Sequence, residues 1–320
     1  MGDAISVGLH LGERTLSAVE VRRGGGGPVL RRIGRVFFPV ELTPDTLLKA
    51  EAQAHLVEAL RELLGESGVD RGAVALSVGS NFSVIKRVPL EVASEEERRE
   101  QIAWEAGQHL IDPVSDYSID YHAFGRTAFL IAIRRQTVDA CRSVCERAGL
   151  GLKCVEVDPL SLFYACRMAS GEASGEETRQ GVSVVHIGGR WASCISAWGT
   201  DLTAVELVRL DRGGLRGGED RTGTIEAAVR SLGRRMAGGL VPERRNGSEG
   251  RERRVLLAGD RRVVEEVRRW WMGVEPLVVA VLDPFAGLDL DSLPADQRPL
   301  LEWRTGFSVS AGAAYKNLCA

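Results

Sequence analysis

Residues 181–210 read GVSVVHIGGRWASCISAWGTDLTAVELVRL, and they give the clearest indication of the fold. It contains three short segments rich in apolar and β-branched residues, at 181–189, 193–199 and 202–210, separated by glycine-containing turns. These segments predict three successive antiparallel strands. The chain that follows predicts, in order, helix 224–240, strand 254–259, helix 261–272 and strand 276–283. Together these elements predict a mixed sheet with helices packed on it.

The N-terminal half of the chain repeats this order. It predicts strands ISVGLHLG (5–12), TLSAVEVRR (15–23) and VLRRIGRVFFP (29–39), then helix 46–64 and strand 73–79. The first unit closes much later, with helix 137–148, strand 153–159 and helix 160–169. Two successive units with one element order predict an α/β protein with the duplicated ribonuclease-H-like fold of actin-like ATPases.

Residues 81–135 interrupt the first unit. They predict a strand, a helix and two further strands, and Ser94 with Glu97 forms a capping box at the start of the helix. The predicted organisation is a first lobe, an inserted strand-helix-strand-strand subdomain, a second lobe and a closing helix that returns to the first lobe. The first lobe comprises residues 1–80 and 136–175, and the inserted subdomain comprises 81–135. The second lobe comprises 176–304, and the closing helix comprises 305–320.

Composition argues against several kinds of partner. The 320 residues carry a net charge of −3, which provides no global field for nucleic acid or an anionic membrane. The arginine-rich stretch 209–254 is interleaved with acidic residues and lacks aromatic residues, so we expect a solvated surface there and no nucleic-acid site. No apolar run approaches the roughly 20 residues of a membrane-spanning helix, and no signal peptide is evident, so we expect a cytoplasmic protein.

The run WEAGQHLIDPVSDYSIDY (104–121) carries a family resemblance. Together with VGLHLGERTLSAVEV (7–21), KRVPL (86–90) and FSVSAGAAYKNL (307–318), it resembles the PilM family of type IV pilus assembly proteins, which is related to the cell-division protein FtsA. The resemblance covers nearly the whole chain. It implies an actin-like fold with a PilM- or FtsA-type inserted subdomain in the first lobe.

The same resemblance implies a function. Proteins of this family are cytoplasmic scaffolds of the pilus platform, and they grip the N-terminal cytoplasmic peptide of a bitopic inner-membrane protein similar to PilN. The groove for this peptide lies between the first lobe and the inserted subdomain. Further contacts with platform or motor proteins and self-association are also expected. No amphipathic tail follows the closing helix, so we expect no direct membrane insertion and a position beside the inner membrane through the partner.

The two phosphate-binding turns of an actin-like ATPase are altered. Such enzymes hold phosphates on one glycine-containing turn per lobe, where an aspartate organises Mg²⁺. The resemblance places His10 at the first of these aspartates and His186 at the second. Imidazole is a poor ligand for Mg²⁺, which prefers oxygen. The other residues of the two turns are Gly12, Glu13, Arg14 and Thr15 in the first turn, and Gly188 and Gly189 in the second.

The adenosine loop is altered as well. The family has a glycine run after the penultimate strand, whereas this chain reads AGDRR (258–262), with Gly259 retained and with Asp260 and Arg261 where the nucleoside would lie. The connection 213–223 is too short for the outer subdomain of the second lobe. We therefore expect no catalytic residues, no cofactor and no ATP hydrolysis. ATP and Mg²⁺ would be cofactors only if the protein were an active actin-like ATPase.

The equivalent positions of His10 and His186 suggest that the two side chains face each other across the cleft between the lobes. Two interpretations follow. They form either a bridge for a metal ion or a pair of hydrogen-bonded cleft histidines. The second is favoured, because zinc requires three or four ligands and the sequence nominates no others.

The candidate partner-binding residues lie in the inserted subdomain. They are Trp104, Glu105, Gln108, Tyr117 and Tyr121. These side chains either line a peptide groove or pack the subdomain onto the first lobe, since aromatic anchors and buried aromatic residues look alike in sequence. The predicted function is a non-catalytic scaffold of a type IV pilus platform. The alternatives are an active actin-like ATPase and a component of a type II secretion platform.

Overall fold

In a computed structural model, the protein is described at residues 5–25, 27–64, 74–91, 94–169, 181–189, 191–199, 201–210, 232, 253–272 and 277–319. The strands are β1 (Ile5–Leu11), β2 (Thr15–Gly24), β3 (Gly27–Phe37), β4 (Val74–Val78), β5 (Ser83–Pro89), β6 (Tyr117–Phe124), β7 (Thr127–Arg134), β8 (Leu152–Val157), β9 (Gly181–Gly188), β10 (Trp191–Trp198), β11 (Asp201–Arg209), β12 (Arg253–Gly259) and β13 (Leu277–Val281). The α-helices are α1 (Pro44–Leu47), α2 (Ala50–Leu64), α3 (Glu95–His109), α4 (Arg135–Arg147), α5 (Asp158–Ala169), α6 (Arg261–Trp271) and α7 (Ser308–Cys319).

Two five-stranded sheets have the same topology. The first has the order β3-β2-β1-β4-β8, and the second has the order β11-β10-β9-β12-β13. In each, the three consecutive strands pair antiparallel, and the strands that follow add in parallel. The duplication predicted from the sequence is therefore confirmed. The short connection 213–223 and the predicted helix 224–240, apart from Leu232, lie outside the described residues.

The inserted segment forms a third sheet, with the order β5-β7-β6 and antiparallel pairing throughout. Helix α3 packs on this sheet through Ile102 and Ala106, which are buried against Leu130 of β7. The capping box at the start of α3 is present, since the Glu97 N–H donates to Ser94 Oγ at 3.2 Å. The predicted strand-helix-strand-strand order is confirmed.

One predicted helix is interrupted. The sequence predicts a single helix over 46–64, but α1 begins earlier, at Pro44, because Thr43 and Thr46 cap each other. The Lys49 N–H then donates to the carbonyl of Thr46, three residues back, at 3.0 Å. This tight turn ends α1, and a separate helix starts at Ala50.

The closing segment also differs from its prediction. A 3-10 helix over Arg298–Phe307, with non-helical backbone at Trp303, precedes α7, so the α-helix begins at Ser308 and not at 305. Helix α7 then lies on the first sheet. Ser6 of β1 donates from Oγ to the Ala314 carbonyl at 2.7 Å, and Ser17 of β2 hydrogen bonds to Ser310 at 3.2 Å. Among the described helices, none is long and apolar enough to cross a membrane.

Candidate functional site

The turn after β1 and the turn after β9 meet between the two large sheets. We call this place the central cleft and define it by His10, Glu13, Asp158, His186 and Gly189. The rings of His10 and His186 have centroids 5.7 Å apart and meet edge to face. His10 Nε2 lies 3.3 Å from Asp158 Oδ1, at the start of α5. The ring contact confirms the prediction that the two histidines face each other. Both are buried.

The buried position of His186 controls its charge. Burial lowers the pKa of His186 to about 4, and the nearby Asp158 carboxylate only partly opposes this shift. Electrostatic interactions with His10 and with Arg35 lower the pKa of His186 further. His186 is therefore a neutral imidazole at neutral pH. In the part of the chain that the structure describes, no group of three or more His, Cys, Asp or Glu side chains is placed to hold a metal ion.

Glu13 reaches from the first turn to the second. A Cβ atom on Gly189 would lie 2.8 Å from Glu13 Oε1 and would overlap Oε2, so the carboxylate rests directly on the glycine backbone. Gly189 also has φ +52°, which favours glycine. The Glu13 carbonyl accepts from the Leu42 N–H at 2.8 Å, which holds the base of this turn. A carboxylate of the protein thus fills space between the two turns.

The remaining residues of the two turns have structural contacts. The Gly12 N–H donates to the Thr15 carbonyl at 2.9 Å, which closes the first turn. The Arg14 guanidinium points away from the cleft and donates to the Pro39 carbonyl at 2.7 Å. In the second turn, Gly188 lies beside the His186 ring, where a Cβ atom would be 3.0 Å from Cε1. Each of these contacts lies within the protein.

The loop after β12 is held by contacts of the same kind. Gly259 has φ +117°, and a Cβ atom there would lie 3.1 Å from the Ile187 carbonyl carbon and closer to its oxygen. Asp260 caps α6 by accepting from the Arg262 N–H at 3.0 Å. Arg261 pairs with Glu265 at 2.9 Å along the helix. The two substituted side chains therefore stabilise the helix start.

The five predicted partner-binding residues do not form one surface. Tyr117 is buried in the third sheet and donates to Asp112 Oδ2 at 3.1 Å, while Tyr121 donates to Glu95 Oε2 at 2.8 Å. Glu105 is buried and lies 3.7 Å from His109, whereas Gln108 is exposed and Trp104 is 63% exposed. These side chains serve the packing of α3 onto its own sheet, or face outwards.

A groove lies elsewhere, between the inserted sheet and the first large sheet. We call it the β6–β8 groove. Its volume is about 260 Å³, and β6 and β8 are each the outer strand of their sheet. It is lined by Ser118, Ile119, Asp120, Ile131, Ile133, Val138, Val155, Glu156, Val157 and Leu160. None of the five predicted partner-binding residues is among them, and their role in partner binding stays a prediction.

Sequence reasoning missed these residues because they come from strands and helices far apart in the chain. The only local signal was the alternation of polar and apolar residues along β6, where Ser118 and Asp120 are exposed and Ile119 is half-buried. Alternation shows that a strand has two different faces, but it does not show what covers them.

Glu156 is the buried charged group of this groove. It is 8% exposed, and its Oε1 pairs with Lys316 Nζ of α7. Its Oε2 is shielded from solvent and has no hydrogen-bond partner. Burial raises the pKa of Glu156 above its usual value, the Lys316 ammonium opposes this shift, and the Asp120 carboxylate adds to it. Burial lowers the pKa of Lys316, but the charge of Glu156, its hydrogen bond to Lys316 and smaller effects of Tyr164 and Cys154 together leave the pKa raised.

The duplicated sheets and the paired turns between them define a protein with the actin-like ATPase fold. The family model for the type IV pilus assembly protein PilM matches residues 8–195, which is more than half of the chain. The chain belongs to this family.

Solved structures share the fold. The chain is similar to the PilM-PilN type IV pilus biogenesis complex, with 18% sequence identity, a TM-score of 0.71 and coverage of 98% of each chain. More distant similarities include the cytoplasmic domain of EpsL, an inner-membrane component of the type II secretion system of Vibrio cholerae, with 10% identity, coverage of 91% and 89%, and a TM-score of 0.49. The ethanolamine utilization protein EutJ from Carboxydothermus hydrogenoformans has 11% identity, coverage of 98% and 91%, and a TM-score of 0.47.

Proposed function

We propose that this PilM-family protein is a non-catalytic scaffold of a type IV pilus assembly platform. In this proposal it binds the N-terminal cytoplasmic peptide of a PilN-like bitopic inner-membrane protein in the β6–β8 groove. The observation that carries the proposal is the groove itself, which lies between the outer strands of two sheets and is lined mainly by aliphatic side chains. The protein would be cytoplasmic and peripheral to the inner membrane through this partner.

The groove suits an extended peptide. An outer strand has backbone N–H and C=O groups without a strand partner on one side, and an added peptide strand can pair with them. Side chains of the peptide would alternate, with every second one entering the groove. Ile119, Val155 and Leu160 offer apolar contacts there. Main-chain pairing would provide affinity, and the groove would select the sequence.

The absence of catalysis is supported by the central cleft. Phosphoryl transfer depends almost entirely on positioning and on the electrostatics of the bound metal. His10 and His186 provide buried imidazoles where carboxylates would organise Mg²⁺, and Glu13 adds a negative charge next to the second turn. A carboxylate at that place would repel a phosphate. We therefore propose that the cleft is a structural joint of the scaffold.

A binding measurement tests the peptide proposal. The probe is a synthetic peptide with the N-terminal cytoplasmic sequence of the bitopic membrane protein encoded beside this chain. We expect a dissociation constant in the micromolar range, which corresponds to about −8 kcal/mol. Ser118→Trp places a bulky ring in the groove at an exposed position and should weaken binding at least about tenfold, a loss of about 1.4 kcal/mol.

Trp104→Ala is the matched control. Trp104 is an exposed aromatic residue of the same inserted segment, but it lies outside the groove. Its substitution should leave the affinity unchanged. A peptide that fails to bind at millimolar concentration contradicts the proposed function. Loss of binding in the control with full binding in Ser118→Trp moves the site to the α3 surface.

A further inference from the structure

The β6–β8 groove contains more negative charges than positive ones. Two carboxylates line it, those of Glu156 on β8 and Asp120 on β6. Asp120 is exposed and its Oδ1 accepts from the Tyr121 N–H at 2.8 Å. Lys316 pairs with Glu156 and is the cation next to it. His122 is also close, but burial lowers its pKa, and so does the Lys316 charge, so it is neutral at neutral pH. These groups leave the groove with a net negative charge.

Glu156 also has an unused hydrogen-bonding atom. Oε1 accepts from Lys316, whereas Oε2 is buried and unpartnered, although an ionised carboxylate can accept several hydrogen bonds. Leaving a buried acceptor of this kind unpaired is unfavourable. Glu156 lines the groove, and the terminal torsion of a glutamate side chain is soft, so its carboxylate can rotate without moving the backbone. The carboxylate is therefore ready to accept one more donor.

A positively charged donor suits this atom better than a neutral one. Any donor to this carboxylate forms a charge-assisted hydrogen bond, and a cationic donor adds the Coulomb attraction between opposite charges. A second cation would also balance the second carboxylate, Asp120, whose charge disfavours ionisation of Glu156 when the groove is empty. A neutral amide would complete the hydrogen bond but leave the charge unbalanced.

We propose that Glu156 determines the specificity of the β6–β8 groove by accepting a hydrogen bond from a positively charged side chain, lysine or arginine, of the bound peptide. This inference rests on the proposed function, because it concerns the same groove. It adds a requirement that the proposed function does not contain. The peptide must carry a basic residue at one fixed position, next to residues that fill the apolar part of the groove.

The experiment uses a phage-displayed library of random 12-residue peptides, selected separately on the wild-type chain and on Glu156→Gln. For wild type we expect enriched sequences with a lysine or arginine at one fixed position. Glu156→Gln should lose this preference. An enriched peptide, synthesised with norleucine in place of its basic residue, should bind wild type about 10- to 100-fold more weakly, which is the range for a hydrogen bond to a charged group.

Two further variants keep the result interpretable. Glu156→Gln leaves Lys316 without its carboxylate, so Glu156→Gln/Lys316→Met is tested beside it, with thermal unfolding to verify folding. Asp120→Asn removes the exposed carboxylate and is the matched control. It should weaken binding of the basic peptide by less than Glu156→Gln does, because an exposed charge is well screened.

The possible outcomes separate the two proposals. If wild type enriches peptides that Ser118→Trp no longer binds, the groove is the peptide site. If these peptides lack a basic residue at a fixed position, or if the norleucine substitution costs the same on Glu156→Gln as on wild type, the role of Glu156 is refuted while the groove stands. If Ser118→Trp binds every enriched peptide as well as wild type does, the groove is not the site and the proposed function fails.

Discussion

A single glutamate reaches across the central cleft. Glu13 lies in the first turn, yet its carboxylate rests on the backbone of Gly189 in the second. A ligand phosphate in an actin-like protein is held between two such turns by backbone amides. In this chain a negatively charged side chain occupies space between the turns. The side chain of Glu13 therefore fills part of the cleft.

The contact between Glu13 and Gly189 predicts a measurable coupling. Gly189→Ala should destabilise the protein by about 1–3 kcal/mol, because the new methyl group overlaps the Glu13 carboxylate and because φ is +52°. Glu13→Ala removes the overlap but not the backbone strain. The same substitution at 189 should then cost at least about 0.5 kcal/mol less in the Glu13→Ala background, as measured by urea unfolding of all four proteins. Strictly additive free energies would show that the carboxylate does not rest on this turn.

Some residue contacts could be predicted from the sequence and others could not. The pairing of His10 with His186 follows from the repeat, since equivalent positions of two related units approach each other about a common axis. Asp158 as the partner of His10 does not follow, because it comes from the start of α5 and has no role in either turn. The family resemblance implied a groove between the first lobe and the inserted subdomain, but its lining residues were hidden, since they come from β6, β7, β8, α4 and α5.

At the scale of elements, the strands were predictable and the ends of helices were less so. Alternating or continuous runs of apolar and β-branched residues predicted all of the described strands of both large sheets. Strands that are buried against helices require such patterns. The break between α1 and α2 was missed, because it depends on one hydrogen bond, from the Lys49 N–H to the Thr46 carbonyl, that no apolar periodicity reveals. Packing between helices was also not visible in the sequence.

Helices α5 and α7 approach each other very closely at one glycine. A Cβ atom on Gly312 of α7 would lie 2.9 Å from the Ala165 backbone nitrogen and would overlap the Ser161 carbonyl of α5. Helix α7 packs against the first sheet in the same manner, since a Cβ atom on Gly8 would overlap the Ser310 carbonyl. The backbone contacts leave no flexible side chain that could move aside. This packing fixes the position of α7, which carries Lys316 to Glu156.

Gly312→Ala tests this packing. The methyl group must push two helix backbones apart, and we expect a loss of about 1–3 kcal/mol in the free energy of unfolding. Gly107→Ala on α3 is the matched control, since the nearest atom to its new Cβ is 3.9 Å away. An alanine in that helix should be neutral or stabilise by up to about 1 kcal/mol. Equal effects of the two substitutions in urea unfolding would contradict the close packing of α5 and α7.

At the scale of the whole molecule, the two large sheets are joined by protein groups. Ser80, after β4 of the first sheet, shares a hydrogen bond of 2.6 Å with Ser193 of β10 in the second. Thr305, just before α7, donates to the Gly259 carbonyl at the end of β12 at 2.8 Å. Together with the edge-to-face contact of His10 and His186, these hydrogen bonds connect the sheets along the cleft. We propose that these contacts, and not a bound nucleotide, hold the two sheets together.

This arrangement predicts which ligands stabilise the molecule. A ligand that binds only the folded protein raises its free energy of unfolding by RT ln(1 + [L]/Kd), or about 2.7 kcal/mol at a hundredfold excess over Kd. We expect the PilN-like peptide to raise the unfolding temperature in this way, while millimolar ATP with Mg²⁺ leaves it unchanged. The peptide serves as the positive control within the same scan. An increase with ATP and Mg²⁺ that persists in Ser118→Trp would place a nucleotide in the cleft and restore the active ATPase as the better description, because blocking the groove cannot affect binding at the distant turns.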